Sequence, residues 1–251
     1  MTEPYVQKEI VGEVAYVEFF HPTHNSLPSN LLAKLAHEIT LLGNDEAIRV
    51  IVLKSGGDRT FCAGASFDEL VSIKDKDEGL RFFSGFANVI NAMRKCPKFI
   101  IGRVQGKAVG GGVGLAAATD YCMATKYSSI KLSELNVGIG PFVVGPAIER
   151  KIGLSAMSQI AINANTFFDA EWAKGKGLYT EVFSNVEALD AGIVELTQLL
   201  VKYNPDAMVR MKKMLWTGTD HWDELLLERA AISGELVLSD FTRETLKRFS
   251  K

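Results

Sequence analysis

The most constraining stretch of the sequence is a glycine-rich turn, GKAVGGGVGLAAATDY at 106–121, which follows the extended-looking segment KFIIGRVQ. Each glycine in ordered structure costs roughly 0.5–1 kcal/mol relative to alanine, so the consecutive Gly110, Gly111 and Gly112 need a local reason. Either a helix after the turn packs too closely on its neighbours for larger side chains, or the backbone turns there to approach a ligand. In the second case a helix that begins near Gly111 directs its free N–H groups at negative charge. The two explanations are compatible.

The familiar glycine fingerprints do not fit this turn. A dinucleotide-binding motif needs a third glycine or alanine where this chain has Leu115, and an acidic residue about 20 positions on, whereas Asp120 comes too soon. The sequence also lacks the G-x-S-x-G pattern of a nucleophile elbow and the G-x-x-x-x-G-K-[ST] phosphate loop. We therefore do not expect NAD or nucleotide-triphosphate binding.

A second strand-to-helix turn carries glycine, DRTFCAGASFDEL at 58–70, with a predicted strand at 48–54 before it and a helix that begins near Ser66. If the two turns converge, the N–H groups of Ala65 and Gly111 can hold one oxygen between them. Preorganised donors at a position where negative charge develops form an oxyanion hole. If the turns converge, these two amides thus meet the requirement of such a hole.

Composition excludes several classes of partner. The net charge of −2 and the scattered lysines and arginines predict neither a nucleic-acid surface nor another polyanion site. The first ten residues lack the features of a secretory signal, and no stretch of about 18 apolar residues suggests a bilayer span, so we expect a soluble, cytoplasmic protein. Three widely spaced cysteines in apolar contexts are typical of buried thiols. Of the four histidines only His21 and His24 have ligand-type spacing, and because no cysteine or carboxylate lies near them in sequence, no metal site is expected.

The order of predicted elements indicates an α/β body followed by a helical tail. Predicted strands lie on both sides of Gly12, at 48–54, 98–105 and 119–125, and near 130–132; predicted helices run from a Ser29 cap to near Gly43 and over 77–95. After about residue 185 only helices are predicted: 186–202, one that begins at Pro205, and 221–249. We therefore predict a core at 1–185 and a helical region at 186–251, whose apolar surface needs a partner in the same chain or in another subunit.

Four segments, in order along the chain, resemble those of the crotonase (enoyl-CoA hydratase/isomerase) superfamily. HPTHNSLPSNLLAKL is similar to its N-terminal coenzyme A segment, FCAGASFDEL to its first oxyanion segment, GKAVGGGVGLAAATDYCMA to its second, and KLSELNVGIGPFVVGPAIERKIG to the active-site stretch that follows. The resemblance covers essentially the whole chain, including the helical tail.

The resemblance implies an α/β spiral of ββα units with a C-terminal helical trimerisation region, assembled as a homotrimer or as a hexamer built from two trimers. It implies an acyl-CoA substrate, with coenzyme A as part of the thioester and no prosthetic group. The implied catalytic residues are Glu134, Ala65 and Gly111. The implied coenzyme-binding residues are His24, Leu27, Ala63, Gly64, Ala65 and Gly110. Phosphate contacts are expected from backbone groups around Ala63 and from tail lysines such as Lys247 or Lys251, because Asp68 stands where some members have lysine.

The chain departs from the hydratase pattern at one position. Hydratases of the superfamily carry two glutamates, and the first falls at Gly114 here, whereas the second matches Glu134. A single carboxylate resembles the arrangement of 3,2-enoyl-CoA isomerases, in which one group makes both proton transfers. Phe142, Val143 and Val144 are expected to keep the pocket dry, which favours isomerisation.

Other functions stay open from the sequence. Asp68, Glu69 or bound water can replace the missing acid in a 2-enoyl-CoA hydratase, including one for branched substrates such as methylglutaconyl-CoA. A decarboxylase or thioesterase would depend mainly on the oxyanion hole. A non-enzymatic scaffold on the same fold is the remaining alternative, although the near-neutral charge argues against RNA binding.

Overall fold

A computed structural model describes residues 3–249 of the chain. The strands are β1 Tyr5–Val11, β2 Val14–Phe20, β3 Ser26–Leu27, β4 Val50–Ser55, β5 Thr60–Cys62, β6 Gly64–Ala65, β7 Phe99–Val104, β8 Lys107–Val109, β9 Tyr121–Thr125, β10 Ser129–Lys131, β11 Phe168–Asp169 and β12 Glu181–Phe183. The helices are α1 Ser29–Asn44, α2 Phe67–Ser72, α3 Lys76–Lys95, α4 Gly111–Ala118, α5 Gly145–Ile162, α6 Ala170–Gly175, α7 Val186–Leu200, α8 Pro205–Leu215, α9 Trp222–Leu236 and α10 Asp240–Phe249. A 3-10 helix spans Glu134–Val137.

The main sheet has the order β1-β2-β4-β7-β9-β12, antiparallel only between β1 and β2 and parallel elsewhere. Alternate side chains of its strands enter two different cores, as the two-residue period of a strand requires. On one face Ile51 and Ile100 pack with α1, α3 and α4, and on the other Val50 and Val52 pack with α7 and α8. The sheet is therefore covered by helices on both faces, in agreement with the predicted α/β class.

A second sheet, ordered β11-β10-β8-β5, sets the positions of the two glycine turns. Strands β5 and β8 are parallel, with Cys62 opposite Ala108. The segments that follow these two strands therefore leave the sheet at the same edge. The short pair β3 and β6 adds Leu27 beside Ala65. These pairings place three separate segments of the chain at one point.

The C-terminal helices pack on the same chain. Trp222 and Leu226 of α9 and Trp216 after α8 are buried in the main core, whereas Leu227 stays exposed. Helix α9 crosses α3 so closely that a methyl group added at Gly79 would lie 2.7 Å from the Cα atom of Gly234. Intrachain packing therefore accounts for much of the tail's apolar surface, while the domain boundary near 185 stays a prediction.

Two details of the predicted elements are wrong. The Ser29 cap is one: Pro28 occupies the N-cap position of α1, and Ser29 is the first helical residue, whose hydroxyl donates to Glu69 at 2.6 Å. The helix predicted over 221–249 is the other, because it is divided into α9 and α10. At that break the Ser239 hydroxyl accepts a hydrogen bond from the backbone N–H of Thr242, as a helix-initiating serine does.

Candidate active site

The two glycine turns meet in the structure. A methyl group added at Gly64 would lie 3.3 Å from the carbonyl oxygen of Val109 and 3.6 Å from the amide nitrogen of Gly111, so the space between the two backbones is about one methyl group wide. Ala65 and Gly111 line the same cavity. The convergence expected from the sequence is therefore present.

The structure requires glycine for a different reason at each of the three consecutive positions. Gly110 has a φ of +52°, a backbone conformation that favours glycine, and a methyl group there would lie 3.0 Å from Oε1 of Glu134. A methyl group at Gly111 would overlap the ring of Phe86, and one at Gly112 would lie 2.4 Å from the carbonyl oxygen of Cys62. Close packing is thus the reason at Gly112, and the approach of the site groups is the reason at Gly110.

Glu134 lies in the wall of this cavity. Oε2 of its carboxyl group is inaccessible to solvent and has no hydrogen-bond partner among the described residues, although the residue as a whole is only half-buried because part of it faces the cavity. Burial raises the pKa of Glu134 from 4.5 to about 7, an effect that the backbone N–H groups of Glu134 and Ser133 only partly oppose. A carboxyl group with a pKa near neutrality can both accept and donate a proton at ordinary pH.

Contacts from distant parts of the chain hold the turn that carries Glu134. The N–H of Ile139 donates to the carbonyl oxygen of Glu134 at 3.0 Å, after Gly138 reverses the chain with a φ of +82°. The Thr242 hydroxyl of α10 donates to the carbonyl oxygen of Gly138 at 3.3 Å, and the Asn136 side chain donates to the backbone at Ala164. The C-terminal helix therefore supports the carboxylate's position without entering the cavity.

Val144 fills the space beside Gly114, the position at which the second acid is missing. A methyl group added at Gly114 would lie 2.5 Å from Cγ1 of Val144, so this site has no space for a carboxylate side chain without movement of that valine. The proposed substitutes lie elsewhere: Glu69 accepts from the N–H and hydroxyl groups of Ser29, and Asp68 is exposed on α2. Among the described residues that line the cavity, Glu134 is the only carboxylate.

The cavity has a volume of about 350 Å³ and mostly apolar walls. Ser233 of α9 also lines it, and the aromatic and aliphatic side chains of the wall come from α2, from α3, from the end of the 3-10 helix and from the segment after that helix. They are Phe67, Leu70, Phe82, Phe83, Phe86, Val137, Ile139, Phe142, Val143 and Val144. Such a site suits an apolar group that reaches one polar position.

The residues expected to bind coenzyme A divide into two groups. His24, Ala63, Gly64, Ala65 and Gly110 all line the cavity.

Leu27 does not line the cavity: its side chain is 1% exposed within the core, and its carbonyl oxygen accepts from the N–H of Ser66. It therefore supports the first oxyanion segment from behind. Lys247 is exposed on α10 and lines none of the cavities identified within residues 3–249, and Lys251 lies outside the described residues.

A basic pair beside the cavity was missed from the sequence. A second cavity of about 360 Å³ shares His24, Ala63 and Val109 with the first and is also lined by Arg59 and Lys107. The N–H of Lys107 donates to the carbonyl oxygen of Arg59 at 3.2 Å, which keeps the two residues together. They are 48 positions apart in a chain with scattered charges, and only the pairing of β5 with β8 could have indicated their proximity.

In the described part of the chain, 3–249, no helix is both long and apolar enough to cross a bilayer.

The chain is similar to known proteins over nearly its full length. The sequence profile of the family described as enoyl-CoA hydratase/isomerase matches residues 9–246. The mouse mitochondrial methylglutaconyl-CoA hydratase is 30% identical over 189 residues, which are 75% of this chain and 60% of that protein. The chain thus spans less than two thirds of that relative's length.

Two further likenesses cover almost the whole chain. The peroxisomal Delta(3,5)-Delta(2,4)-dienoyl-CoA isomerase of Arabidopsis thaliana is 27% identical over 97% of this chain and 94% of that protein. The crystal structure of an enoyl-CoA hydratase from Bacillus halodurans superimposes with a TM-score of 0.90, at 21% identity, over 97% of this chain and 99% of that chain. The structural likeness establishes the predicted fold.

Proposed function

Because the chain belongs to the enoyl-CoA hydratase/isomerase family, we propose that it converts 3-enoyl-CoA thioesters to 2-enoyl-CoA thioesters, with Glu134 as the acid/base group. The observation that carries this proposal is the contact between Gly114 and Val144, which leaves Glu134 without a second carboxylate in the described cavity wall. Isomerisation needs one group that takes and returns a proton, whereas hydration must also position a water molecule.

In the proposed reaction the Glu134 carboxylate removes a proton from C2 of the bound thioester. The C2–H electron pair then forms the C1=C2 π bond of a dienolate, and the π pair of the carbonyl group moves to the thioester oxygen as negative charge. That oxygen accepts hydrogen bonds from the N–H groups of Ala65 and Gly111, the second at the N-terminus of α4, where the helix dipole favours negative charge. The protonated Glu134 then gives the proton to C4, the double bond moves to C2–C3, and the carbonyl group re-forms.

The coenzyme A part of the substrate would lie in the second cavity. Its phosphate groups are anionic, and Arg59 and Lys107 supply two cations in the cavity that shares His24 with the first. We expect Arg59→Ala combined with Lys107→Ala to raise the KM for trans-3-hexenoyl-CoA on the order of tenfold or more, while the KM for the N-acetylcysteamine thioester, which lacks the phosphates, is unchanged. Lys202→Ala removes an exposed lysine elsewhere and serves as the control.

Hydration of a 2-enoyl-CoA is the second candidate. The likeness to a hydratase favours it, and the hydroxyl-bearing Ser133 next to Glu134 lines the cavity and can contact a water molecule. A branched substrate such as methylglutaconyl-CoA belongs to this candidate.

A substrate panel for the purified wild-type protein separates the candidates. We expect trans-3-hexenoyl-CoA to give trans-2-hexenoyl-CoA faster than crotonyl-CoA or trans-2-hexenoyl-CoA gives a 3-hydroxyacyl product. If hydration of the 2-enoyl-CoA substrates is faster, the second candidate, hydration, replaces isomerisation as the proposed function. Product from a malonyl-type thioester alone would indicate a decarboxylase or thioesterase and would refute both candidates.

Assembly as a homotrimer or hexamer, a cytoplasmic location and the lack of a prosthetic group remain predictions. Sedimentation velocity of the purified protein checks the first of these.

A further inference from the structure

The wall of the acyl cavity has two chemically different parts. His24, Ala63 and Val109 line both cavities, so this part adjoins the basic pair Arg59 and Lys107. Another part is formed by side chains of α2, α3 and α9, by the last residue of the 3-10 helix and by Ile139 after it. Its members are Phe67, Leu70, Phe82, Phe83, Val137, Ile139 and Ser233, and we call them the distal wall.

The distal wall is held rigidly by aromatic and helix contacts. The rings of Phe82 and Phe83 pack edge to face with centroids 5.0 Å apart. The contact between Gly79 and Gly234 fixes α9 against α3, which keeps Ser233 at the cavity. The Ser233 hydroxyl donates to the carbonyl oxygen of Arg229 in its own helix, so its hydrogen is already engaged.

No cation faces the distal wall among the described residues. Of the residues described by the structure, only two titratable ones line the cavity, namely Glu134 and His24. His24 belongs to the part shared by the two cavities, and Glu134 carries or releases a proton at the reaction centre. A carboxylate at the far end of an acyl chain would lose its hydration without gaining a partner, and it would add negative charge to the cavity that holds Glu134.

We infer that the protein selects neutral, apolar acyl groups and rejects acyl groups that end in a carboxylate, with the distal wall as the specificity determinant. This inference rests on the proposed function, because it requires the acyl part of a CoA thioester to enter this cavity. It distinguishes hexenoyl-type substrates from diacid substrates such as methylglutaconyl-CoA, irrespective of whether the enzyme isomerises or hydrates them.

Binding of two saturated thioesters tests the inference without dependence on the reaction. Hexanoyl-CoA and glutaryl-CoA have chains of similar length, but only the second ends in a carboxylate. For the wild-type protein we expect isothermal titration calorimetry to give a dissociation constant on the order of 100-fold larger for glutaryl-CoA. Equal or tighter binding of glutaryl-CoA would overturn the inference and leave the proposed function standing, whereas no binding of either thioester would overturn both.

A designed cation in the distal wall sharpens the test. Leu70 is half-buried on α2, so an arginine there can keep its guanidinium group near solvent when no diacid is bound. We expect Leu70→Arg to reduce the ratio of the two dissociation constants at least about tenfold, because it gives the carboxylate a partner. Leu70→Met is the matched uncharged control and should keep the wild-type preference; a preference for hexanoyl-CoA that is unchanged in Leu70→Arg would refute the distal wall as the determinant. Thermal unfolding of both variants verifies that they are folded.

Discussion

Two carboxyl groups, Glu134 and Asp120, are buried in this molecule under opposite conditions. The Asp120 carboxylate accepts hydrogen bonds from Lys212 Nζ at 2.5 Å and Trp216 Nε1 at 2.8 Å, and from the N–H of Ile100 at 2.8 Å. Glu134 has one oxygen without any partner among the described residues, and its pKa is raised to about 7. The first group joins α8 to the sheet, whereas the second stays available for proton transfer.

The difference between these two carboxyl groups shows that the unfavourable burial of a polar atom is kept at the candidate active site. A buried charge with three donors, one of them an opposite charge, is satisfied, and it contributes to the stability of the fold rather than to chemistry. A buried carboxyl group with an oxygen that lacks a partner lowers stability, and it is retained where a perturbed pKa serves chemistry. Removal of each group should therefore affect different properties.

The largest expected effect is the loss of activity in Glu134→Gln. Glutamine keeps the shape of the side chain but cannot take a proton, so we expect the kcat for isomerisation of trans-3-hexenoyl-CoA to fall on the order of 10³-fold or more. Asp68→Asn removes a nearby exposed carboxylate on α2 and is the matched control, with activity close to wild type. Wild-type turnover by Glu134→Gln would exclude Glu134 as the acid/base group.

The next effect concerns stability at Asp120. Because Asp120→Ala leaves the Lys212 ammonium buried without a partner, we expect a loss of about 3–5 kcal/mol in the free energy of unfolding, measured by urea denaturation, with kcat of the folded protein retained. Lys212 is 2% exposed, so the double variant with Lys212→Met removes the uncompensated charge and should recover at least half of the loss. An Asp120→Ala variant as stable as the wild type would contradict the claim that the Asp120 carboxylate, unlike that of Glu134, stabilises the fold.

A smaller effect with the opposite sign is expected for the stability of Glu134→Gln. The folded-state pKa of Glu134 lies above its ordinary value, so the folded state binds the extra proton between pH 4.5 and about 7, and wild-type stability falls as pH rises through this window. Glutamine avoids that cost. We expect the variant to be more stable than wild type by up to about 3 kcal/mol near pH 8, with no such gain near pH 4. A difference that does not change with pH would mean that the carboxylate is not held in an unfavourable environment.

Much of the site followed from the sequence because its signals are local. The glycines after β8 and in FCAGASFDEL marked two turns, and parallel pairing of the preceding strands was sufficient to bring Ala65 and Gly111 together. The catalytic roles of Glu134, Ala65 and Gly111 stay predictions, and the Glu134→Gln variant addresses the first of them.

What escaped prediction depends on contacts between distant positions. The contact of Val144 with Gly114 and the proximity of Arg59 to Lys107 arise only when separate strands and helices are assembled. The Ser29 cap failed for a similar reason, since its hydroxyl binds Glu69, 40 residues away, rather than the start of its own helix. Local patterns cannot report such pairings.

The pH dependence of kcat/KM for isomerisation tests most directly whether burial of its carboxyl group, with one oxygen unpartnered, makes Glu134 the base. The carboxylate form must be present to remove the C2 proton, so the account predicts that kcat/KM rises about tenfold per pH unit in acid and levels off with a midpoint near pH 7. A midpoint near 4.5, the pKa of an ordinary glutamate, or a rate that does not change with pH would contradict it.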